Sequence, residues 1–333
     1  MADYSEGCSK NTSGHIKCAM KNKVLNENNI IAAAAAICAA VMVAFPEVTE
    51  SGAKSAIAIW LNSVVPVLLP FFIFADFIKR TADMERLPVR VYPAVMAILS
   101  GYPMGAKITG DLVKSGVLSP EKGRHILSYS LVTGPAFILG TIGLFIGSSK
   151  AALIVAVAHY LGAVCNGLMW QCKDGTCLER VEKSRNSETF KNNNILDNFT
   201  DAILAGFRAM AIVLAYLILF MILAELVENT GILGVLPGTA SSSFFKGILE
   251  MTMGISALGM CDISIGQKVV LTSFLVSFGG MSVIGQSLSV SGGGWLCLSE
   301  LLRIKLSHGL LAGIIAAAVI IFGNAVFPGE FLV

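Results

Sequence analysis

The sequence predicts an all-α integral membrane protein with an inverted repeat, about seven transmembrane helices, two re-entrant helical hairpins and broken helices at the midplane. Three observations predict this class. Hydrophobic residues make up 55% of the 333 residues and charged residues only 14%, with a mean hydropathy of +0.73, whereas soluble domains carry roughly 25% charged residues. The chain also resembles itself at one constant offset. Finally, its basic residues are distributed unevenly among the loops.

Composition also excludes several functions. The formal net charge is only +2, which gives no reason to expect a nucleic-acid partner. The eight cysteines are scattered, and the one close pair, Cys172 and Cys177, has neither zinc-site spacing nor a histidine partner. We therefore expect no metal and no other cofactor.

Apolar segments of about 17 to 25 residues are long enough to cross the hydrocarbon core. In chain order, the candidate spans are 29–45, 57–78, 125–147, 151–170, 201–228, 269–290 and 303–325. Two further apolar stretches, 92–118 and 245–267, are interrupted by glycine and polar residues near the middle. We interpret each as two short helices that enter and leave by the same side.

The distribution of lysine and arginine supports the two hairpins. If both stretches return to the side they entered, 18 of the 24 basic residues lie inside, Arg303 and Lys305 among them. If the first stretch crossed instead, this asymmetry would collapse. The prediction is an amino end inside, a carboxyl end outside, and segment 29–45 as a retained anchor rather than a removed signal.

This reading divides the chain into six parts. They are a cytoplasmic polar segment (1–28), an anchor helix with an outer loop (29–56), a first repeat (57–170), a cytoplasmic polar loop (171–200), a second inverted repeat (201–325) and a short external tail (326–333).

The repeat is an ungapped match at an offset of 149 residues. IFADFI (73–78) falls on ILAELV (222–227), Met104-Gly105 falls on Met253-Gly254, and His159 falls on His308. An inverted pair of halves with broken helices places a binding site near the bilayer midplane. The two histidines themselves are interpreted as packing residues that form hydrogen bonds.

The first hairpin contains SGYPMGAKITGDL (100–112). Gly101, Pro103 and Gly105 break the helix next to Tyr102, so that free amides of the resumed helix point into a cavity and favour an anion. Lys107 adds a positive charge. The alternative is that Lys107 pairs with Asp111 one turn later and only neutralises the hairpin.

The second hairpin, GILEMTMGISALGMCDISIG (247–266), carries acids instead. Glu250 lies before the break and Asp262 after it, while Ser256 stands at the position equivalent to Lys107. Such carboxylates couple transport to a cation or proton, and Asp111 completes this predicted charge network. The alternative places both acids at the headgroup boundary, which is favoured for Asp262.

Each hairpin is followed by a span with its own interruption. Thr133, Gly134 and Pro135 break the first, and Gly279 and Gly280 break the second, where Gln286 supplies a polar side chain. We expect these residues to bind substrate. The alternative is that glycine and serine only allow close helix packing.

Four motifs together resemble the sporulation integral membrane proteins of the YlbJ type, within the "nucleoside recognition" Gate-domain superfamily. They are SGYPMGAKITGDLVKSG, TGPAFILGTIG, GILEMTMGI and SFLVSFGGMSVIGQ, and the resemblance covers residues 57 to 325. It implies a gate-type transporter fold in the bacterial cytoplasmic membrane. It also implies movement of dipicolinate, a small aromatic dicarboxylate, during sporulation.

The expected function is therefore transport of a small anionic, dipicolinate-like solute by alternating access in the lipid bilayer, with coupling to a cation or proton. Two alternatives stay open: a carrier of a nucleoside or another small solute, and an accessory or scaffold membrane protein. We expect no enzyme, because the sequence has no HExxH, GxSxG or paired-aspartate motif.

Overall fold

The structure is a computed structural model that describes residues 29, 32–81, 88–171, 194–235, 237–292 and 294–326. These residues form helices and connecting turns, with no strand among them. Five helical stretches are long and apolar enough to cross a membrane: Pro46–Ile78, Ser149–Met169, Ile195–Asn229, Ile265–Ser291 and Leu298–Val326. The structure agrees with the predicted class of all-α, multi-pass membrane protein.

The chain divides into two compact units, Met1–Glu50 and Ser51–Val333. In the described part of the first unit, helix α1 covers Ala32–Ala44. The Thr49 hydroxyl donates to the carbonyl oxygen of Met42 across the turn that follows. The cytoplasmic segment predicted over 1–28 lies outside the described residues, as do most of loop 171–200, with Cys172 and Cys177, and the tail beyond residue 326.

A long helical stretch that is locally underwound begins at Pro46. Helix α2 (Pro46–Ile59) continues through a π-helical turn, Trp60–Val64, into α3 (Val65–Thr81). Pro66 lacks an amide hydrogen and its ring crowds the carbonyl four residues earlier, so a wider turn at this point relieves the clash. Helix α3 packs along α9 (Ile195–Asn229), and the Trp60 indole donates to the Met210 carbonyl at 3.2 Å.

Two pairs of short helices lie at the positions of the predicted hairpins. In the first, α4 (Tyr92–Ser100) and α5 (Tyr102–Lys114) meet at Gly101, whose φ of +83° suits a residue without a side chain. In the second, α10 (Gly238–Leu249) and α11 (Met251–Met260) meet at Glu250, which has extended backbone. The second pair begins seven residues before the predicted boundary, because GTASSSFF is a helix despite its polar residues.

Two further helices are interrupted where the sequence predicts. The stretch predicted as span 125–147 is α6 (Pro120–Ser130), a non-helical segment at 131–134, a π-helical turn (Phe137–Ile142) and α7 (Gly143–Ile146). The stretch predicted as span 269–290 is α12 (Ile265–Phe278) and α13 (Gly280–Ser291), separated by Gly279 in the left-handed region.

The core forms where α12 packs against α8 (Ser149–Met169) and α14 (Leu298–Val326), and α8 also packs against α14. Small residues allow this approach: a Cβ added at Gly162 would lie 3.2 Å from Ala312. Lys305, counted from the sequence among the basic residues on the inner side, is 2% exposed inside the bundle.

Candidate functional site

A cavity lies where the helix breaks meet, and we call it the central cavity. Apolar side chains form most of its wall. Residues of the breaks at 101 and 131–134 line it as well, together with polar residues from the carboxyl-terminal half of the chain. It is lined by Val64, Leu68, Phe71, Phe72, 98–103, 133–137, Val213, Leu217, Glu250, Met251, Thr252, Ser282, Val283 and Gln286. A mostly apolar wall with a few convergent polar groups is typical of small-molecule sites.

The amino end of α5 faces this cavity without a side-chain cap. Gly101 stands at the N-cap position and offers no side chain, and Pro103 lies in the first turn without an amide hydrogen. Ser100, just before the break, is 5% exposed, and its hydroxyl has no hydrogen-bond partner. A helix end of this kind presents partial positive charge, and an unpaired buried hydroxyl can donate to a ligand.

The amino end of α11 is different, because Glu250 caps it. The Glu250 carboxylate accepts a hydrogen bond from the Met253 amide at 2.7 Å, with further hydrogen bonds from Thr252 and Ser282. The carboxylate is therefore buried but hydrogen-bonded by protein donors. The positive end of the α11 helix dipole stabilises its negative charge. Glu250 was predicted to lie before the break, whereas it forms the break itself.

Behind the cavity, a buried polar network joins the two halves. The His159 ring accepts from the Thr133 amide at 3.1 Å and contacts the Ser277 hydroxyl at 2.8 Å. His308 contacts the His159 carbonyl at 2.9 Å. The Tyr102 hydroxyl donates to the Val276 carbonyl. The bonds to the Thr133 amide and the Val276 carbonyl satisfy main-chain groups that the helix breaks leave unpaired.

A second, more polar cavity adjoins the central one, and we call it the basic vestibule. It is lined by Phe72, Asp76, Arg80, Ser100, Pro103, Met104, Lys107, Ala205, Gly206, Arg208, Ala209, Ile212, Val213 and Val290. Phe72, Ser100, Pro103 and Val213 line both cavities. A thin wall around the α4–α5 break therefore separates the two spaces.

The charges of the basic vestibule are unequally paired. Arg80 bonds to Asp76 at 2.6 Å and to Asp201 at 3.1 Å. Lys107 and Arg208 are exposed and make no ion pair within the part of the chain that the structure describes. In particular, the alternative pairing of Lys107 with Asp111 is not formed.

The structure brings together most of the predicted site. Lining the central cavity are Gly101, Tyr102, Pro103, Thr133, Gly134, Pro135, Glu250 and Gln286. Lys107 lines the basic vestibule instead. The other predicted residues lie outside both cavities: Gly105, Gly279 and Gly280 are buried in helix contacts, and Asp111 and Asp262 are exposed.

Two residues of functional interest were not predicted from the sequence. Ser100 belongs to the quoted hairpin motif, and its position directly before the break was the available signal. Lys305 is a lysine inside the 29-residue apolar helix α14, one turn before His308. Such a position calls for explanation in a membrane helix, because a buried charge is costly.

The chain was compared with known proteins. It is 26% identical over 294 residues to the sporulation integral membrane protein YlbJ of Bacillus subtilis (strain 168), an alignment that covers 74% of this chain and 71% of that protein. No protein-family model matches the chain, so membership of the Gate-domain superfamily stays a prediction. No solved structure matches it.

Proposed function

We propose that this chain, a YlbJ-type integral membrane protein, carries a small anionic solute across the membrane through the central cavity. The observation on which the proposal depends is the contrast between two helix ends at that cavity. The α11 end is already neutralised by Glu250, whereas the α5 end has no side-chain cap and lies beside the unpaired Ser100 hydroxyl. A carboxylate of the solute supplies what the α5 end lacks.

The basic vestibule supports the same class of solute. Lys107 and Arg208 line it without ion-pair partners in the described residues, next to the wall that both cavities share. Cationic groups around an entrance raise the local concentration of anions, and the effect weakens as salt is added. An anion would first meet these two side chains and then the α5 helix end.

Alternating access needs two halves that can exchange roles, and several correspondences favour an inverted repeat. The starts of α2, α5 and α8 precede those of α9, α11 and α14 by the offset found in the sequence. Two contacts join residues separated by that same 149: Tyr102 with Met251, and His159 with His308. Contacts between equivalent residues are expected where two repeats meet around a pseudo-twofold axis.

The accompanying topology has seven spans and two re-entrant hairpins in the bacterial cytoplasmic membrane, with the amino end inside and the carboxyl end outside. In this arrangement the basic vestibule opens to the cytoplasm. Glu250 is the carboxylate in position to bind a coupling proton or cation, because it lines the central cavity. Asp111 and Asp262 are exposed and have no part in this proposal.

The test is uptake by proteoliposomes of labelled dipicolinate and, separately, of a labelled nucleoside. We expect dipicolinate uptake that is saturable and competed by other small dicarboxylates. Lys107→Ala should raise KM by roughly 3- to 10-fold, the effect of losing one partly screened charge. Lys114→Ala is the matched control, because Lys114 lies on the same helix but lines neither cavity.

Each other outcome has a meaning. Nucleoside uptake without dipicolinate uptake would replace the anionic solute with a nucleoside. If folded protein moved neither compound, the anion-carrier proposal would fail in favour of an accessory role. An equal change of KM in both lysine variants would show that the basic vestibule is not the entrance.

A further inference from the structure

We propose that the Lys305 ammonium occupies a monovalent-cation site at the carbonyl end of the interrupted α6 helix, beside the break between α12 and α13, so that the fold supplies its own cation there. The inference concerns a buried site on α14 and does not require that the chain transports anything. It begins from an unusual placement, because Lys305 is among the largest fully buried side chains of the bundle.

The first contact of the ammonium is with the interrupted α6 helix. Lys305 Nζ donates to the carbonyl oxygen of Leu131 at 2.8 Å, and Leu131 is the C-cap residue of α6. The helix interruption frees carbonyls at this end, where the helix dipole is negative. A cation is the group that such an end favours.

The second contact is with the interruption between α12 and α13. A Cβ added to Gly279 would lie 3.6 Å from Lys305 Cε, which places the lysine stem against the carboxyl end of α12. Broken helices of membrane carriers bind sodium ions or protons at such places, through unwound carbonyls and half-helix ends. In this chain, the Lys305 side chain lies at such a helix end.

The surroundings of Lys305 are aromatic rather than acidic. Its Nζ lies 4.7 Å from the ring centroid of Tyr102 on α5. Two titratable groups face Lys305 from neighbouring helices, Tyr102 on α5 and His159 on α8. A third, His308, lies on α14 itself. No carboxylate of the described residues lies within 4.0 Å of Nζ. The ammonium is thus held by the Leu131 carbonyl oxygen and by the face of the Tyr102 ring, two kinds of group that also bind metal cations.

This arrangement has two consequences. First, the protein should not need sodium or potassium at this position. Second, removal of the lysine should leave a vacant site between the Leu131 carbonyl and the Tyr102 ring that a small external cation can fill. A lysine present only for packing would give no such response.

The experiment measures thermal unfolding of detergent-purified protein in equal concentrations of sodium chloride, methylammonium chloride and choline chloride. Wild-type protein should unfold at the same temperature in all three. Lys305→Ala should unfold about 5 to 10 °C lower in choline chloride, a loss typical of removing a buried partner. Sodium or methylammonium should restore at least half of that loss.

Lys268→Ala is the matched control. Lys268 also donates to a helix-end carbonyl, that of Gly259, at 2.6 Å, but it is only partly buried. This variant should respond equally to all three salts.

Three results would overturn the proposal: specific stabilisation of the wild type by sodium, an Lys305→Ala variant equally destabilised in every salt, or one that cannot be recovered folded in any of them. Because the readout is unfolding, a lack of solute uptake would count only against the proposed function.

Discussion

Two residues at equivalent positions determine how the helix ends at the central cavity differ. Gly101 and Glu250 are both N-cap residues, but glycine leaves its helix end without a side-chain acceptor, whereas glutamate fills that role. Anion binding is favoured at the first and already satisfied at the second. The chemical asymmetry of the cavity thus depends on a single pair of side chains.

Ser100 should matter for the solute and not for the fold. In Ser100→Ala, we expect KM for the anion to rise by about 10-fold or more, since one hydrogen bond to a charged ligand is lost. The melting temperature should stay within about 1 °C, because removal of a buried unpaired hydroxyl costs little. Uptake kinetics and thermal unfolding of one preparation check both.

Ser130→Ala is the control for that variant. The Ser130 hydroxyl is also buried and unpartnered, but it does not line the central cavity. A similar change of KM in Ser130→Ala would contradict a direct role for Ser100.

Glu250, unlike Ser100, should matter both for the solute and for the fold. Glu250→Ala removes a buried cap and leaves several donors unpaired, so we expect the melting temperature to fall by about 3 to 8 °C. Glu250→Gln keeps an acceptor for the Met253 amide and should lose less than half as much. Differential scanning fluorimetry compares the variants.

The control is Glu228→Ala, at an exposed carboxylate that pairs with Lys246. Surface pairs contribute little, so we expect a shift of about 1 °C or less. Equal losses in Glu250→Ala and Glu250→Gln would mean that the charge, and not the cap, stabilises α11.

At the scale of elements, the helix breaks were predictable and the lengths of the helices around them were not. Glycine and proline at 101, 103, 134, 135 and 279 mark the breaks directly, because their backbone preferences are local. The start of α10 was missed because its polar residues resemble a loop. The burial of Lys305 was not predicted, because a lysine near the end of an apolar segment ordinarily lies in the polar flank.

Two glycines pack the short helices against main-chain oxygens of the other half. A Cβ at Gly110 would overlap the Ser291 carbonyl, and one at Gly259 would overlap the Phe145 carbonyl. Because the backbone cannot yield as a side chain can, we expect each alanine variant to lower the melting temperature by about 4 °C or more.

Gly234→Ala is the matched control, since a Cβ at that position has nothing within 4 Å. It should leave the melting temperature within about 1 °C. If Gly110→Ala and Gly259→Ala were as stable as this control, the close approach of the helices would not contribute to stability.

At the scale of the molecule, the sequence predicted the class of protein and the residues at the helix breaks of the central cavity. It did so because helix-breaking residues in apolar segments must line protein or water. The division into two cavities could not be predicted from the sequence. That Lys107 lines the basic vestibule, whereas Tyr102 lines the central cavity, follows from the packing of α5 against distant helices, which no local pattern encodes.

The proposed inverted topology predicts exposure on opposite sides of the membrane for two surface positions, one near the end of each hairpin. In a chain freed of its native cysteines, Asp262→Cys should react with an impermeant maleimide added outside intact cells. Ser115→Cys should react only after permeabilisation. Both residues are exposed in the structure, so burial would not limit either reaction. Labelling of both positions from the outside would contradict the two-hairpin topology.

The contacts of Tyr102 with Met251 and of His159 with His308 have a consequence for ancestry. If the halves arose by duplication, residues that touch their own counterparts lie on the former symmetry axis. In a dimer of half-length chains, one mutation at such a position would alter both partners at once. Fusion into one chain would remove that constraint, so that each copy could change alone. Glutamate opposite Gly101 and Lys305 opposite Ala156 are differences that a dimer of identical half-length chains could not have.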